Sequence, residues 1–279
     1  MMQRKRRRFR LRQPRIELKR TLFLLPNMIT LSSVFCGFYA MVLASQATDE
    51  DGYYRSALLI VFAMFFDMLD GRVARMTKTQ SAFGLQIDSL ADVVSFGAAP
   101  AILIYFWTLH QLGYFGLLAC FLFVACGAIR LARFNVLTMG EAGAPKKPSK
   151  YVVGLPIPGA AGILVSIVVA NSAVQGAIGR PEWATAILAV TIVLAGLMVS
   201  SIRFRSGKDL RLNARTVLLV GFAVGTSAVI AMKLKAAFVL VWLLGVYVLI
   251  GIFEWLWHIP RRVREHVAAA GRDSTAPPN

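Results

Sequence analysis

Charge is scarce in this sequence: of 279 residues only 16% are Asp, Glu, Lys or Arg, while 57% are hydrophobic and the mean hydropathy is +0.62. That balance excludes an ordinary soluble domain and points to an integral membrane protein. Period-2 alternation of apolar and polar residues is also missing. Its absence excludes a transmembrane β-barrel and leaves helices, the other structure that satisfies every backbone group in lipid. Cysteine is rare. Cys36, Cys120 and Cys126 lie inside apolar runs with no CxxC spacing, so they read as small core residues. His110, His258 and His266 stand at segment ends without clustering and read as interface or surface groups.

What the sequence does contain is eight apolar segments near the length a helix needs to cross the hydrocarbon, at 22–45, 56–75, 86–108, 114–134, 152–171, 183–201, 214–232 and 236–257. The expected fold is therefore an all-α polytopic membrane protein with about eight transmembrane helices. The formal charge of +17 follows topology rather than nucleic-acid binding. With a cytoplasmic N-terminus, 27 of the 31 Lys and Arg fall on inside segments, leaving Arg55, Arg180, Lys233 and Lys235 outside. Both termini are then cytoplasmic, in a multi-pass protein of the cell inner membrane. Residues 1–21 form a basic cytoplasmic arm, too densely charged for a signal peptide, so no cleavage is expected. A catalytic transmembrane core spans 22–171, further helices 172–258, and a cytoplasmic tail 259–279.

Against this apolar background the stretch Asp67 to Asp92, DMLDGRVARMTKTQSAFGLQIDSLAD, stands out. Asp67 and Asp70 close one apolar run; Asp88 and Asp92 open the next. At 3.6 residues per turn, Asp67, Asp70, Gly71 and Ala74 share one helix face, and Gly84, Asp88, Ala91, Asp92 and Ser95 share one face of the other. Two helix ends thus converge four carboxylates on one point. Each costs about 2.5–3.5 kcal/mol deep in a bilayer, so a cation is required. Oxygen-only ligands favour Mg²⁺ or Mn²⁺ over zinc or copper, and two such ions cancel four negative charges.

Other polar residues gather near these helix ends. Helix one is predicted to begin at Pro26-Asn27, where Asn27 and Thr30 either cap the helix or present polar groups to a ligand beside the carboxylates. Helix four ends in GAIRLARFN. Arg130 and Arg133, at i and i+3 with Asn135 beyond, either snorkel at the interface or form an anion site. Asp49, Glu50 and Asp51 in an external loop read as solvated, and GLPIPGAAG (154–162) starts helix five. A two-metal carboxylate site at a membrane boundary suits clamping a pyrophosphate while a P–O bond is exchanged. A divalent-cation transporter is the reading from a different class. All four carboxylates lie toward one side of the membrane, however, and Gly71, Arg75 and Ser81 have no task in conduction.

The series Asp67-x2-Asp70-Gly71-x2-Ala74-Arg75-x8-Gly84-x3-Asp88-x3-Asp92 resembles the signature of the CDP-alcohol phosphatidyltransferases without a departure, over 26 positions. DVVSFGAAPA (92–101), RLARFN (130–135) and GLPIPGAAG look like the branch of that family whose acceptor is serine, so the resemblance covers roughly residues 26–162. It implies transfer of a phosphatidyl group from CDP-diacylglycerol to L-serine with release of CMP, in the membrane lipid and without nucleic acid, with a homodimer as candidate assembly. By the resemblance, Asp67, Asp70, Asp88 and Asp92 hold two Mg²⁺ or Mn²⁺ ions and Asp92 is also the base. Asn27, Thr30, Gly71, Arg75 and Ser81 then contact the CDP-lipid, and Ser95, Arg130, Arg133 and Asn135 are candidates for the acceptor pocket. Glycerol 3-phosphate or inositol phosphate as acceptor would leave all four aspartates unchanged.

Overall fold

The computed structural model describes residues 18–77, 81–138, 151–174 and 178–205, with 226, 238–239, 241–246 and 248. Residues 1–17 of the basic arm, the tail 259–279 and most of the segments expected at 214–232 and 236–257 lie outside the described residues.

Helix α1 (Leu18–Gln46) and helix α2 (Glu50–Met76) form an antiparallel hairpin. Ala40, Ala44, Ala57 and Ala63 are fully buried, and such small side chains let two membrane helices approach closely. The sequence predicts helix one to begin at Pro26-Asn27; the helix instead starts at Leu18 and carries Pro26 inside it. Leu, Lys and Arg ahead of the proline are good helix formers, and a proline is tolerated in a membrane helix where neighbours satisfy the freed backbone groups. Thr30 Oγ donates to Pro26 O across that point (3.0 Å). Nor are the loop acids merely solvated. Asp49 caps α2 by accepting from Gly52 N (2.9 Å), and Asp51 pairs with Arg55.

A second continuous helix runs from Ala82 to Trp107. It comprises α3 (Ala82–Asp92), a π-helical turn (Val93–Ala98) and α4 (Ala99–Trp107). Pro100, just past that turn, has no N–H to give to the regular i→i−4 ladder, a usual cause of such local loosening. A 3₁₀ turn (Leu109–Leu112) and Gly113, at φ +56°, reverse the chain into α5 (Tyr114–Thr138).

The expected helix at 152–171 starts later. Tyr151–Val153 is a strand, β1, paired antiparallel with β2 (Arg203–Arg205) in the register Tyr151↔Arg205. This small ribbon is the departure from an all-α chain among the described residues. Val152 and Val153 favour extended backbone, and Gly154 at φ +81° followed by Pro156 bars a helix before Ile157. Helix α6 (Ile157–Ala173) then opens with Pro158 in its first turn, where a missing N–H costs least. Helix α7 (Pro181–Val199) returns to the ribbon.

Phe96, Phe123, Leu155, Ile157, Leu164 and Met198 make a fully buried centre. Large apolar side chains also cover the outside, among them Phe35, Phe38, Phe62, Phe121 and Trp183, all exposed. Water would not accept a surface of that kind, whereas lipid does. Four stretches, Leu25–Gln46, Ala82–Trp107, Tyr114–Leu137 and Pro181–Val199, are long and apolar enough to span a membrane. The chain is thus a multi-pass helical membrane protein.

Candidate active site

One end of the bundle is where α2 finishes and α3 begins. Ser81 caps α3 by accepting from Gly84 N (2.9 Å), so the helix starts nearly two turns before Asp88. Because α2 and α3 belong to adjoining hairpins, their ends meet. Asp67, Asp70 and Asp88 each offer a carboxylate oxygen within 4.8 Å of the others. Asp92, one turn beyond Asp88, interacts electrostatically with Asp67 and Asp88. Three of the four carboxylates thus come together, while Asp92 lies one turn further along the same helix as Asp88.

Their surroundings say what the cluster requires. Asp70 is buried, and its Oδ2, like Oδ1 of Asp92, is shut off from solvent with no donor. Buried carboxylate oxygens without partners are costly, and carboxylates this close repel one another, so a cation between them is the natural complement. The donors are all hard oxygens, which fits Mg²⁺ or Mn²⁺ rather than softer metals. The groups that act favourably on Asp70 include the Thr30 hydroxyl, the Gly71 N–H and the Arg75 guanidinium. Among these three only Arg75 brings positive charge.

The groups expected to meet a nucleotide line the same end. Arg75 lies over Gly71: a Cβ built on Gly71 would meet nothing nearer than Arg75 Nη1, at 3.5 Å. Asn27 reaches the start of α3, where a Cβ on Gly84 would lie 3.9 Å from its Oδ1 and 3.2 Å from Ser81 Oγ. Thr30, Gly71 and Arg75 thus lie beside Asp70, and Asn27 and Ser81 lie at the start of α3. Three of them already have local bonds: Ser81 as cap, Thr30 to Pro26 O, and Gly71 to Asp70.

The four acceptor candidates separate. Arg130 is buried and acts electrostatically on Asp92, so it belongs to the site. Arg133 points elsewhere. Its guanidinium donates to the carbonyls of Val199 (3.0 Å), Ser200 (3.2 Å) and Val153 (3.3 Å), stapling α5 to the ribbon and the end of α7. Asn135 donates to Ser89 Oγ (2.9 Å) and Gln86 Oε1 (3.4 Å), clasping α5 to the helix that carries Asp88 and Asp92. It lies inside α5, not beyond its end. Ser95 is fully buried in the π-helical turn, where its Oγ donates to Ser33 O (3.1 Å).

Ser33, Gln86 and Ser89 therefore belong to the site's support, and the sequence reading did not single them out. A signal was present for Ser33. Asn27, Thr30, Ser33 and Gly37 recur at helical spacing within an apolar run, a polar and small stripe that a lipid-facing helix has no use for.

Fold and site together define a multi-pass membrane protein with an oxygen-only acidic centre at one end of its helices, bordered by basic and small residues. A family model described as CDP-alcohol phosphatidyltransferase matches residues 23–260, and the chain belongs to that family. A CDP-diacylglycerol–serine O-phosphatidyltransferase of Helicobacter pylori (strain ATCC 700392 / 26695) is 37% identical over 236 residues, 85% of this chain and 92% of the relative. An archaetidylserine synthase of Methanothermobacter thermautotrophicus is 37% identical over 183 residues, 64% and 69% of the two chains. A Bacillus subtilis CDP-diacylglycerol–serine O-phosphatidyltransferase is 33% identical over 180 residues, 64% and 89%.

Proposed function

We propose that this protein transfers the phosphatidyl group of CDP-diacylglycerol to the hydroxyl of L-serine, releasing CMP, in phospholipid biosynthesis. The observation that carries the reading is the convergence of Asp67, Asp70 and Asp88 beside Gly71 and Arg75, with Asp92 one turn beyond Asp88, in a chain of this family. Similarity to relatives named for serine supports the acceptor. Glycerol 3-phosphate and inositol phosphate are the other acceptors that the same aspartates would serve.

Asp67, Asp70, Asp88 and Asp92 would hold two Mg²⁺ or Mn²⁺ ions, which when bound neutralise the pyrophosphate and acidify the attacking hydroxyl. Arg75 extends from the rim toward the nucleotide phosphates, and Gly71 leaves room for them against the backbone. Asn27, Thr30 and Ser81 complete the polar wall on the nucleotide side. Asp92 takes the proton from the serine hydroxyl as its oxygen bonds to the lipid-linked phosphorus and the bond from that phosphorus to the CMP oxygen breaks. Arg130, beside Asp92, orients the serine carboxylate. Arg133, Asn135 and Ser95 support the pocket through the helices they join.

The reading extends to topology: eight crossings, both termini and the carboxylates on the cytoplasmic side of a cell inner membrane. CMP release by purified protein with Mn²⁺ or Mg²⁺ tests the function, comparing L-serine, glycerol 3-phosphate, inositol 1-phosphate and no acceptor. Serine-dependent release with a serine lipid as product is expected. Release with another acceptor would move the error to the pocket, and metal binding without any release would favour transport.

A further inference from the structure

We infer that Ser33 is a positioning residue for the reaction, locking the helical turn ahead of Asp67 to the turn behind Asp92. The inference rests on the two-metal reading above.

Ser33 sits on α1, one turn beyond Thr30, and is almost wholly buried. Its Oγ donates to Ala63 O (3.0 Å). Ala63 lies four residues before Asp67, so this carbonyl is the one to which the Asp67 N–H points in a regular helix. On its other side Ser33 meets the π-helical turn. Ser95, three residues after Asp92, donates its Oγ–H to Ser33 O (3.1 Å), and the two hydroxyl oxygens stand 3.4 Å apart. Each hydroxyl carries one proton and each proton is committed, Ser33 to α2 and Ser95 to α1.

One turn further along α1, backbone contact removes the remaining slack. A Cβ on Gly37 would lie 2.8 Å from Ser95 Cα, so α1 and the π-helical turn touch there. The π-helical turn is the part of this helix with the loosest hydrogen-bond ladder, and hence the part whose register an outside contact can set. Ser33 therefore joins the two backbones that carry Asp67 and Asp92. On the two-metal reading, the spacing of those two residues would decide whether both sets of oxygens reach one ion. Groups that orient ligands in this way typically change metal affinity by about 10- to 100-fold when removed.

Ordinary helix packing makes a different prediction, and the same helix pair contains the control. Ser56, also fully buried, donates from α2 to Ala40 O on α1 (2.8 Å) at the opposite end, far from any of the four aspartates. If hydroxyl-to-carbonyl bonds between α1 and α2 serve packing alone, Ser33→Ala and Ser56→Ala behave alike.

The test is Mn²⁺ binding to the full-length protein in detergent, followed by electron paramagnetic resonance without CDP-lipid, alongside kcat and the serine KM. Ser33→Ala and Ser95→Ala should each raise the Mn²⁺ dissociation constant about tenfold or more and lower kcat with little change in serine KM. Combining them should cost less than the product of the two, because they break one clasp. Ser56→Ala should stay within twofold on every readout. An Mn²⁺ affinity within twofold of the unaltered protein in Ser33→Ala overturns the inference, as does an equal loss in Ser56→Ala. If Ser33→Ala does not fold, Ser95→Ala is held to the same criterion. No Mn²⁺ binding by the unaltered protein would sink the two-metal reading as well, which separates the two failures.

Discussion

Asp92 lies under the field of Arg130, a cationic side chain from another helix. In the proposed roles of ligand and base together, it is the residue whose replacement would separate chemistry from binding. Asp92→Asn keeps the shape and removes the proton acceptor. Turnover should fall by about 10²–10⁴-fold while CDP-lipid still binds, measured by CMP release and by equilibrium binding. Retained turnover would remove Asp92 from the role of base. Gly71 gives a complementary prediction. The space at its Cα is bounded only by the mobile end of Arg75, so the fold itself does not demand glycine there. Gly71→Ala should leave the thermal midpoint unchanged and lower kcat/KM for CDP-lipid about tenfold, equivalent to about 1.4 kcal/mol. A drop in stability with normal kcat/KM would contradict that assignment. Single-residue legibility had a limit in Arg130 and Arg133. Their i, i+3 spacing puts them on neighbouring positions, yet Arg133 is committed to three carbonyls of the ribbon and α7 that no local pattern announces.

Elements whose ends coincide with a change of polarity were readable, and those set by backbone geometry were not. The helices expected at 22–45, 56–75, 86–108, 114–134 and 183–201 all form, most with longer ends than hydropathy gives them. Hydropathy reports where lipid begins, whereas the helix continues until its caps, as Asp49 and Ser81 show. The ribbon was hidden because it pairs residues about fifty positions apart, and the π-helical turn because its sequence, VVSFGA, is as apolar as any helix. The meeting of Asp67, Asp70 and Asp88 was legible from period alone, but what holds the two helices in register was not, since the clasping groups are serines that hydropathy treats as neutral. Gly154 tests the element scale. It holds φ +81°, and an added Cβ would fall 2.2 Å from Met198 O, where the ribbon joins α7. Gly154→Ala forces both strain of about 1–3 kcal/mol and displacement of that carbonyl. The thermal midpoint should fall clearly, while specific activity per folded molecule stays near normal, because the carboxylates sit on other helices. Unchanged stability would mean that the ribbon is incidental to the fold.

At the scale of the whole molecule the two ends of the bundle differ in kind. The end holding the carboxylates also holds Arg75, Arg130 and Arg133. At the opposite end the connections are tied by a partly buried polar cluster. Asn171 donates to Glu50 and accepts from Ile178 N (2.9 Å) and Gly179 N (3.0 Å), and the Tyr53 hydroxyl donates to Phe106 O (3.0 Å). The turns at 47–49 and 108–113, the end of α6 and the start of α7 therefore share one side, and Thr77 and the start of β1 share the other. Basic residues retained on the cytoplasmic face decide which side is which, and the carboxylate end carries the excess. Alkaline phosphatase fused after residue 48 or residue 112 should be active, and fused after residue 77 or residue 138 inactive, since the enzyme matures only after export. Swapping charge between the sides offers a sharper form of the same test. On the proposed orientation Arg55 and Arg180 would be the outward basic residues among those described, so adding lysines beside them should reduce correct insertion, whereas adding lysines near Thr77 should not. The reverse fusion pattern would place the aspartates outside, away from the cytosolic supply of a nucleotide-activated lipid, and would make the proposed transfer untenable in that orientation.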